Sequence, residues 1–251
     1  WSGLGVWGLI WGQVAADIIA AVVVWRLAGW RPTWVFDRQA TREMLVFGSH
    51  IILVGFIGAL QSNVDYLLVG RLLGAAALGY YTLAYRIPEL VIRGLNVAVG
   101  RVALPVLAQA QSDPQMLRSA YFGYVRYITI LTFPAGVGLA LVASPFIKTF
   151  YTSQWEPAIP VMALIALGIG ISSAGHIPGV LYKAINRPDI LNWLSLIKFP
   201  VALVVLWYST RWGIVGVAAG QLVMGIAYVI LDSAMVMRIA RFGLWEMIEP
   251  L

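Results

Sequence analysis

Long apolar windows separated by short polar connections follow one another along the whole chain. Seven of them are long enough to be transmembrane helices, at about residues 4–25, 44–69, 78–107, 121–143, 159–182, 190–208 and 214–237. A helix needs about 20 predominantly apolar residues to cross the hydrocarbon core of a bilayer. The pattern therefore predicts an all-α integral membrane protein with seven transmembrane helices.

The lysines and arginines concentrate in alternate connections between these windows. Eleven of the seventeen lie in or near the connections after the first, third, fifth and seventh windows, and only three lie in the opposite set of connections. Cytoplasmic connections carry an excess of Lys and Arg in multi-pass proteins. The chain is therefore predicted to begin outside the cell and to end in the cytoplasm.

Composition narrows the class of protein further. The chain is 61% hydrophobic and only 11% charged, which excludes an ordinary soluble domain with a polar surface. It has no cysteine, so disulfides, thiolate metal sites and cysteine nucleophiles are excluded. The first apolar run follows no basic segment and does not have the pattern typical of a signal peptide. Because Trp1 opens the chain inside a predicted membrane segment, we expect a fragment that lacks an N-terminal portion.

Charged residues inside the third window are the first candidates for function. Arg86, Glu89 and Arg93 lie within roughly 60° of one another on a helix, and we call these three residues the basic stripe. Facing lipid would cost about 2.5–3.5 kcal/mol for each charge at the bilayer centre, so the stripe should face a polar cavity. Arginine suits a phosphate or diphosphate there, because its planar fork binds two oxygens. The alternative is structural: Arg86 pairs with Glu89, and Arg93 with Asp65 or Glu89.

Four further polar residues lie within or near the ends of apolar windows. Lys198 could pair with Asp232 on the last window, line a cavity, or act as a proton- or sodium-linked switch. Asn63 and Asp65, near the end of the second window, are candidates for binding a coupling ion or for a structural role. Asp17 in the first window belongs to the same group, with the structural role favoured.

Signals of enzymatic chemistry are weak in this sequence. His50 and His176 lie in different windows without a partner at metal-ligand spacing, so we expect both to be structural. No glycine-rich phosphate loop or nucleophile elbow occurs. We therefore expect a protein that is not an enzyme, with no metal.

One motif resembles a known family. The run D-Y-L-L-V-G-R-L-L-G-A-A-A-L-G-Y-Y-T-L-A-Y-R-I-P at residues 65–88 resembles the segment that joins two consecutive spans near the middle of the polysaccharide transporter family. That family includes Wzx-type O-antigen flippases and the colanic-acid and teichuronic-acid exporters of the multidrug/oligosaccharidyl-lipid/polysaccharide superfamily. Weaker matching pieces occur in the expected order at residues 5–13, 30–38, 103–113 and 154–167.

The resemblance implies a transporter built from two pseudo-symmetric lobes. Residues 1–43 would be the last helix of the first lobe with a basic cytoplasmic inter-lobe loop. Residues 44–241 would be the six-helix C-terminal lobe, and residues 242–251 a cytoplasmic tail. The implied activity is flipping of undecaprenyl-diphosphate-linked oligosaccharide across the bacterial inner membrane, for cell-surface polysaccharides such as lipopolysaccharide.

The resemblance also implies a site and partners. Arg86 and Arg93, with Glu89 between them and Lys198 as a weaker candidate, would receive the lipid diphosphate in a cationic cavity. The expected partners are the bilayer, the lipid-linked oligosaccharide and polysaccharide assembly proteins, with no nucleic acid. No cofactor is implied, and a proton or sodium gradient is the candidate driving force.

Two alternatives remain open from the sequence. A cation-coupled multidrug exporter of the same superfamily would have a cavity dominated by acidic residues, which the basic stripe argues against. A membrane glycosyl-transferring enzyme would need a large outer loop with catalytic acids or arginines. The longest outer connection, at about residues 144–158, carries only Lys148 and Glu156.

Overall fold

The computed structural model describes residues 5–29, 38–187 and 189–240. Within these ranges the regular elements are α-helices joined by short 3₁₀ turns, with no strand. The helices are α1 (Gly5–Ala28), α2 (Arg38–Leu73), α3 (Ala75–Gln109), α4 (Pro114–Phe150), α5 (Ala158–Ser172), α6 (His176–Ala184), α7 (Asp189–Ser209) and α8 (Gly213–Ala240). The predicted all-α fold is confirmed.

Each of the seven apolar windows falls on helical structure, but the fifth is divided. Helix α5 ends at Ser172, a 3₁₀ turn occupies Ser173–Gly175, and α6 begins at His176. The Ser173 hydroxyl donates to the Ile169 carbonyl at 2.8 Å. Serine hydroxyls that bond back to the preceding turn compete with the helix ladder and bend helices. The fifth window is therefore helical, as predicted, with a break between α5 and α6.

Helical stretches long and apolar enough to cross a membrane occur throughout the described residues. Five are found: Ile10–Ala28, Ala75–Ser112, Pro114–Phe150, Ala158–Ala184 and Asp189–Arg238. The last is 50 residues long and contains α7 and most of α8, which is enough for two crossings. Helix α2, which carries the second window, is not among the five. The chain is a multi-pass membrane protein, and the count of seven crossings stays a prediction.

The chain divides into two compact units, residues 1–56 and residues 57–251. In the first unit, the described side chains of α1 are all exposed. In the second, α5 is the central helix and packs against α3, α4 and α8. A second apolar cluster contains Leu107 of α3, Ile128 of α4 and Leu181 of α6. These contacts hold the short helix α6 against the bundle.

The start of α4 shows how local sequence sets these elements. Asp113 is its N-cap, and its Oδ1 accepts hydrogen bonds from the backbone nitrogens of Gln115 at 2.9 Å and Met116 at 3.2 Å. Pro114 occupies the first helical position, where its missing N–H costs nothing. The Asp-Pro pair thus caps α4 and begins its first turn.

Candidate functional site

A lysine and an aspartate pair inside the second unit, between α7 and α8. Lys198 Nζ lies 2.5 Å from Asp232 Oδ1, and their side chains are only 22% and 9% exposed. The ammonium also lies 5.1 Å from the centroid of the Tyr228 ring, and the Tyr228 hydroxyl donates to the Lys198 carbonyl at 2.8 Å. Of the three roles that the sequence left open for Lys198, the pairing with Asp232 is formed.

Two cavities meet at this pair, so Lys198 also lines a cavity. The first, which we call the α6 cavity, has a volume of about 250 Å³ and is lined by α6 and α7 residues that include Tyr182 and Ser195. The second, the α3 cavity, has a volume of about 290 Å³, and Asn96, Ser173 and Tyr228 are in its wall. Both are lined by Gly175, His176, Lys198 and Asp232.

The basic stripe on α3 is only partly neutralised. Arg93 Nη1 donates to Glu89 Oε1 at 3.0 Å, with the Arg93 side chain 73% exposed and that of Glu89 31% exposed. Arg86 is exposed and has no hydrogen bond or ion pair among the described residues. One of the expected structural ties, Arg93 with Glu89, is therefore formed, and Arg86 keeps an uncompensated charge.

Asp65 is the centre of a different polar cluster, which joins α2, α3 and α8. The Tyr81 hydroxyl and the Gln221 Nε2 each donate to Asp65 Oδ2 at 2.8 Å, and Gln221 Nε2 lies 3.1 Å from the Tyr81 oxygen. Asp65 is 4% exposed and Tyr81 is fully buried. This buried carboxylate is thus held by uncharged donors, and it does not pair with Arg93.

The remaining sequence candidates make local contacts. The Asn63 amide donates to the Ala59 carbonyl at 2.8 Å, and Asp17 Oδ1 accepts from Gln13 Nε2 at 3.2 Å. Both side chains are exposed, and each bond spans four residues of its own helix. The side chain of His50 lies outside the described residues. Within the described part of the chain, no group of three or more His, Cys, Asp or Glu residues could hold a metal ion.

Sequence reasoning missed several members of these clusters. Tyr182, Asn96, Tyr81 and Gln221 were not singled out. Gln221 and Asn96 are isolated amides in apolar windows, and that polarity was a signal. Tyr81 and Tyr182 gave none, because a tyrosine near the end of an apolar window is ordinarily an interfacial residue.

Comparison with known proteins decides the family. A family model described as "Polysaccharide biosynthesis protein" matches residues 1–160. The chain belongs to this polysaccharide biosynthesis family. The matched region contains the basic stripe and Asp65, and the resemblance seen in residues 65–88 is confirmed.

Curated proteins from several bacteria are similar in sequence to this chain. Teichuronic acid biosynthesis protein TuaB of Bacillus subtilis is 29% identical over 161 residues, which are 63% of this chain and 33% of that protein. Lipopolysaccharide biosynthesis protein WzxC of Escherichia coli is 30% identical over 206 residues, 81% of this chain and 42% of the relative. Succinoglycan biosynthesis transport protein ExoT of Rhizobium meliloti is 24% identical over 198 residues, which are 78% of this chain and 40% of that protein.

The chain thus spans a third to about two-fifths of the length of these three relatives. No solved structure matches it significantly. The WzxC and ExoT matches each cover more of the chain than the 160 residues of the family model.

Proposed function

We propose that this chain takes part in the export of lipid-linked oligosaccharide repeat units for cell-surface polysaccharide. The lipid carrier is undecaprenyl diphosphate, the membrane is the bacterial inner membrane, and the process is transport rather than catalysis. Support comes from the polysaccharide biosynthesis family, from relatives named for biosynthesis or transport of such polymers, and from the multi-pass helical fold. In this proposal residues 1–43 end one lobe, residues 44–241 form the next, and the C-terminus is cytoplasmic.

The observation that carries the proposal is the uncompensated charge of Arg86 on a helix apolar enough to span the membrane. An unpaired guanidinium does not stay against acyl chains, because its desolvation is costly. It suits a water-filled path with an anionic ligand, and the diphosphate is the anionic part of this substrate. Arg93 would add a second guanidinium, oriented by Glu89 at 3.0 Å.

Lys198 is a weaker candidate for binding the diphosphate. Its side chain is only 22% exposed and its ammonium is paired with the buried Asp232. Arg93 is also paired with a carboxylate, but its side chain is 73% exposed and its guanidinium keeps further N–H donors for an anion. We assign the diphosphate to Arg86 and Arg93, and the polysaccharide assembly proteins and the lipid bilayer remain the expected partners.

The test is a flipping assay in proteoliposomes with a fluorescent undecaprenyl-diphosphate oligosaccharide. Wild type is compared with Arg86→Ala, Arg93→Ala and the charge-keeping Arg93→Lys. Arg71→Ala is the matched control, because Arg71 is also exposed but lies in the last turn of α2. Folded yield is measured for every variant by size-exclusion chromatography.

We expect Arg86→Ala to reduce the flipping rate about tenfold, Arg93→Lys to retain part of it, and Arg71→Ala to match wild type. Normal flipping by both alanine variants would make the arginines structural. A wild-type protein that moves no lipid-linked sugar would overturn the proposed function itself.

A further inference from the structure

Two buried polar atoms lack any hydrogen-bond partner among the described residues: Asn96 Oδ1 and the hydroxyl of Tyr182. Each residue is in the wall of one of the two cavities that meet at Lys198 and Asp232. Buried polar atoms in proteins are normally hydrogen-bonded, and leaving one unsatisfied costs about 1–3 kcal/mol. Two such atoms, on residues in the walls of adjoining cavities, therefore indicate a missing partner with polar groups of its own.

Rotating the Asn96 amide by 180° does not remove the problem. Its Nδ2 lies 3.1 Å from the Ser173 hydroxyl oxygen, which in turn lies 2.8 Å from the Ile169 carbonyl. The Ser173 hydroxyl can accept from the amide nitrogen or, after the rotation, donate to the amide oxygen, but it contacts only one of the two atoms. Either orientation therefore leaves the other buried atom of the Asn96 amide in need of an external partner.

The charges at the junction of the cavities argue for a neutral ligand. Lys183 lines the α6 cavity only, and at the junction of the two cavities Lys198 and Asp232 neutralise each other at 2.5 Å. A phosphate placed at the junction would therefore face a carboxylate. A hydroxyl-rich ligand meets no such repulsion. Each hydroxyl donates one hydrogen bond and accepts up to two, which matches the acceptor at Asn96 and the phenol at Tyr182.

Cavity size limits the ligand further. Volumes of about 250 and 290 Å³ lie just below the range of about 300–1,000 Å³ typical of sites for drug-sized ligands. Each cavity therefore suits a single small ring rather than an extended chain. The apolar walls, which include Leu191 and Leu194 beside α6, can cover the less polar faces of such a ring.

We propose that the two cavities form one subsite for neutral sugar rings, with hydrogen-bonding groups from Asn96, Tyr182, Lys198 and Asp232. The inference rests on the proposed function, in which the arginines of α3 take the diphosphate and this subsite takes sugar. It places the diphosphate at Arg86 and Arg93 and the sugar in the two cavities, whose walls contain Asn96 of α3 and residues of α6, α7 and α8.

The test measures sugar binding directly, without transport. The protein is placed in lipid nanodiscs, because sugar-headed detergents would compete, and saturation-transfer NMR is recorded with methyl glycosides of glucose, galactose and mannose and with maltose. Tyr182→Phe removes only the unpartnered hydroxyl. Gly175→Ala narrows the junction, since its new Cβ would lie 3.3 Å from Val229 Cγ2 and 3.5 Å from Asp232 Oδ2.

Each variant has a matched control. Tyr127→Phe makes the same change at a tyrosine that is 66% exposed, and Gly123→Ala adds a methyl group with no atom within 4 Å. We expect Tyr182→Phe to weaken binding of at least one sugar about three- to tenfold, the worth of one hydrogen bond. Its melting temperature should be unchanged or higher, because an unsatisfied buried group is lost. Gly175→Ala should weaken binding as well, and the controls should not.

Three results would overturn the subsite. They are no binding of any of these sugars at millimolar concentration, equal binding by Tyr182→Phe and wild type, or displacement of bound sugar by inorganic pyrophosphate. The first two would leave the cavities filled with water only. The flipping assay tests the proposed function separately. A protein that flips the substrate but binds no sugar in these cavities would keep the proposed function and exclude the subsite. A protein that binds sugar in these cavities but does not flip the substrate would keep the subsite and exclude the proposed function.

Discussion

Lys198 of α7 and Asp232 of α8 form an ion pair of 2.5 Å between two helices of a membrane protein. Because both side chains are mostly buried, each depends on the other for the compensation of its charge. Removing one partner of a buried pair leaves an uncompensated charge, whereas replacing both partners by apolar residues of similar volume is often tolerated.

The pair therefore predicts a strongly non-additive mutant cycle. Lys198→Met and Asp232→Leu should each lower the free energy of unfolding by about 3 kcal/mol, and the double variant should lose much less than their sum. Asp232→Leu should be the milder single change, because Lys198 keeps its contact with the Tyr228 ring. Thermal unfolding in nanodiscs, followed by tryptophan fluorescence, checks this. Simple additivity would mean that the two charges are independently solvated.

The buried cluster around Asp65 predicts a second stability effect. Tyr81→Phe removes one of the two side-chain donors to Asp65 Oδ2 while keeping the ring packed, and should cost about 1–3 kcal/mol. Tyr127→Phe, at an exposed tyrosine, is the control and should cost almost nothing. The same unfolding measurement applies. An unchanged melting temperature for Tyr81→Phe would show that Gln221 alone satisfies the carboxylate.

Much of the helical architecture followed from the apolar windows, because a bilayer demands about 20 apolar residues for each crossing and the charges must lie between them. The break at Ser173 did not follow from the windows. Its cause is a serine that bonds to its own helix and the packing of α6 on the bundle, and apolar runs carry neither signal.

Side-chain partners were the part that sequence could not determine. Lys198 and Asp232 are separated by 34 positions, and Asp65 and Gln221 by 156. Pairing of this kind depends on which helix faces meet in the bundle. The sequence could restrict Lys198 to three roles and name Asp232 as one partner. No partner of Asp65 on α8 could be predicted, because an amide such as Gln221 in an apolar window has many potential neighbours.

The crossing of α4 and α5 predicts a steric effect that is independent of charge. A Cβ added at Gly136 would lie 2.7 Å from the Ala166 oxygen and 3.1 Å from Gly170 Cα. Both are backbone atoms that cannot rotate away, so Gly136→Ala must push the helices apart. We expect a loss of about 1–3 kcal/mol in unfolding free energy. Gly123→Ala on the same helix, with open space around it, should be neutral or slightly stabilising.

Asp65 also carries a prediction about energy coupling, which rests on the proposed transport function. It is a buried carboxylate that bonds only to uncharged donors among the described residues. Binding a proton or a sodium ion would therefore neutralise the negative charge at the contact between α2, α3 and α8. Asn63 and Asp17, the other candidates, are exposed and bond within their own helices, and we expect neither to matter.

If Asp65 binds the coupling ion, Asp65→Asn should make flipping in proteoliposomes insensitive to an imposed proton or sodium gradient. Wild type and the Asp17→Asn control should respond to one of the two gradients. Asparagine keeps the shape of the side chain and an oxygen that can accept from Tyr81, so the fold should survive, and the melting temperature checks that. A gradient response in Asp65→Asn equal to that of wild type would assign the cluster a purely structural role. A response that disappears in both variants would instead indicate that the gradient acts on exposed carboxylates in general, because these two residues share only their negative charge.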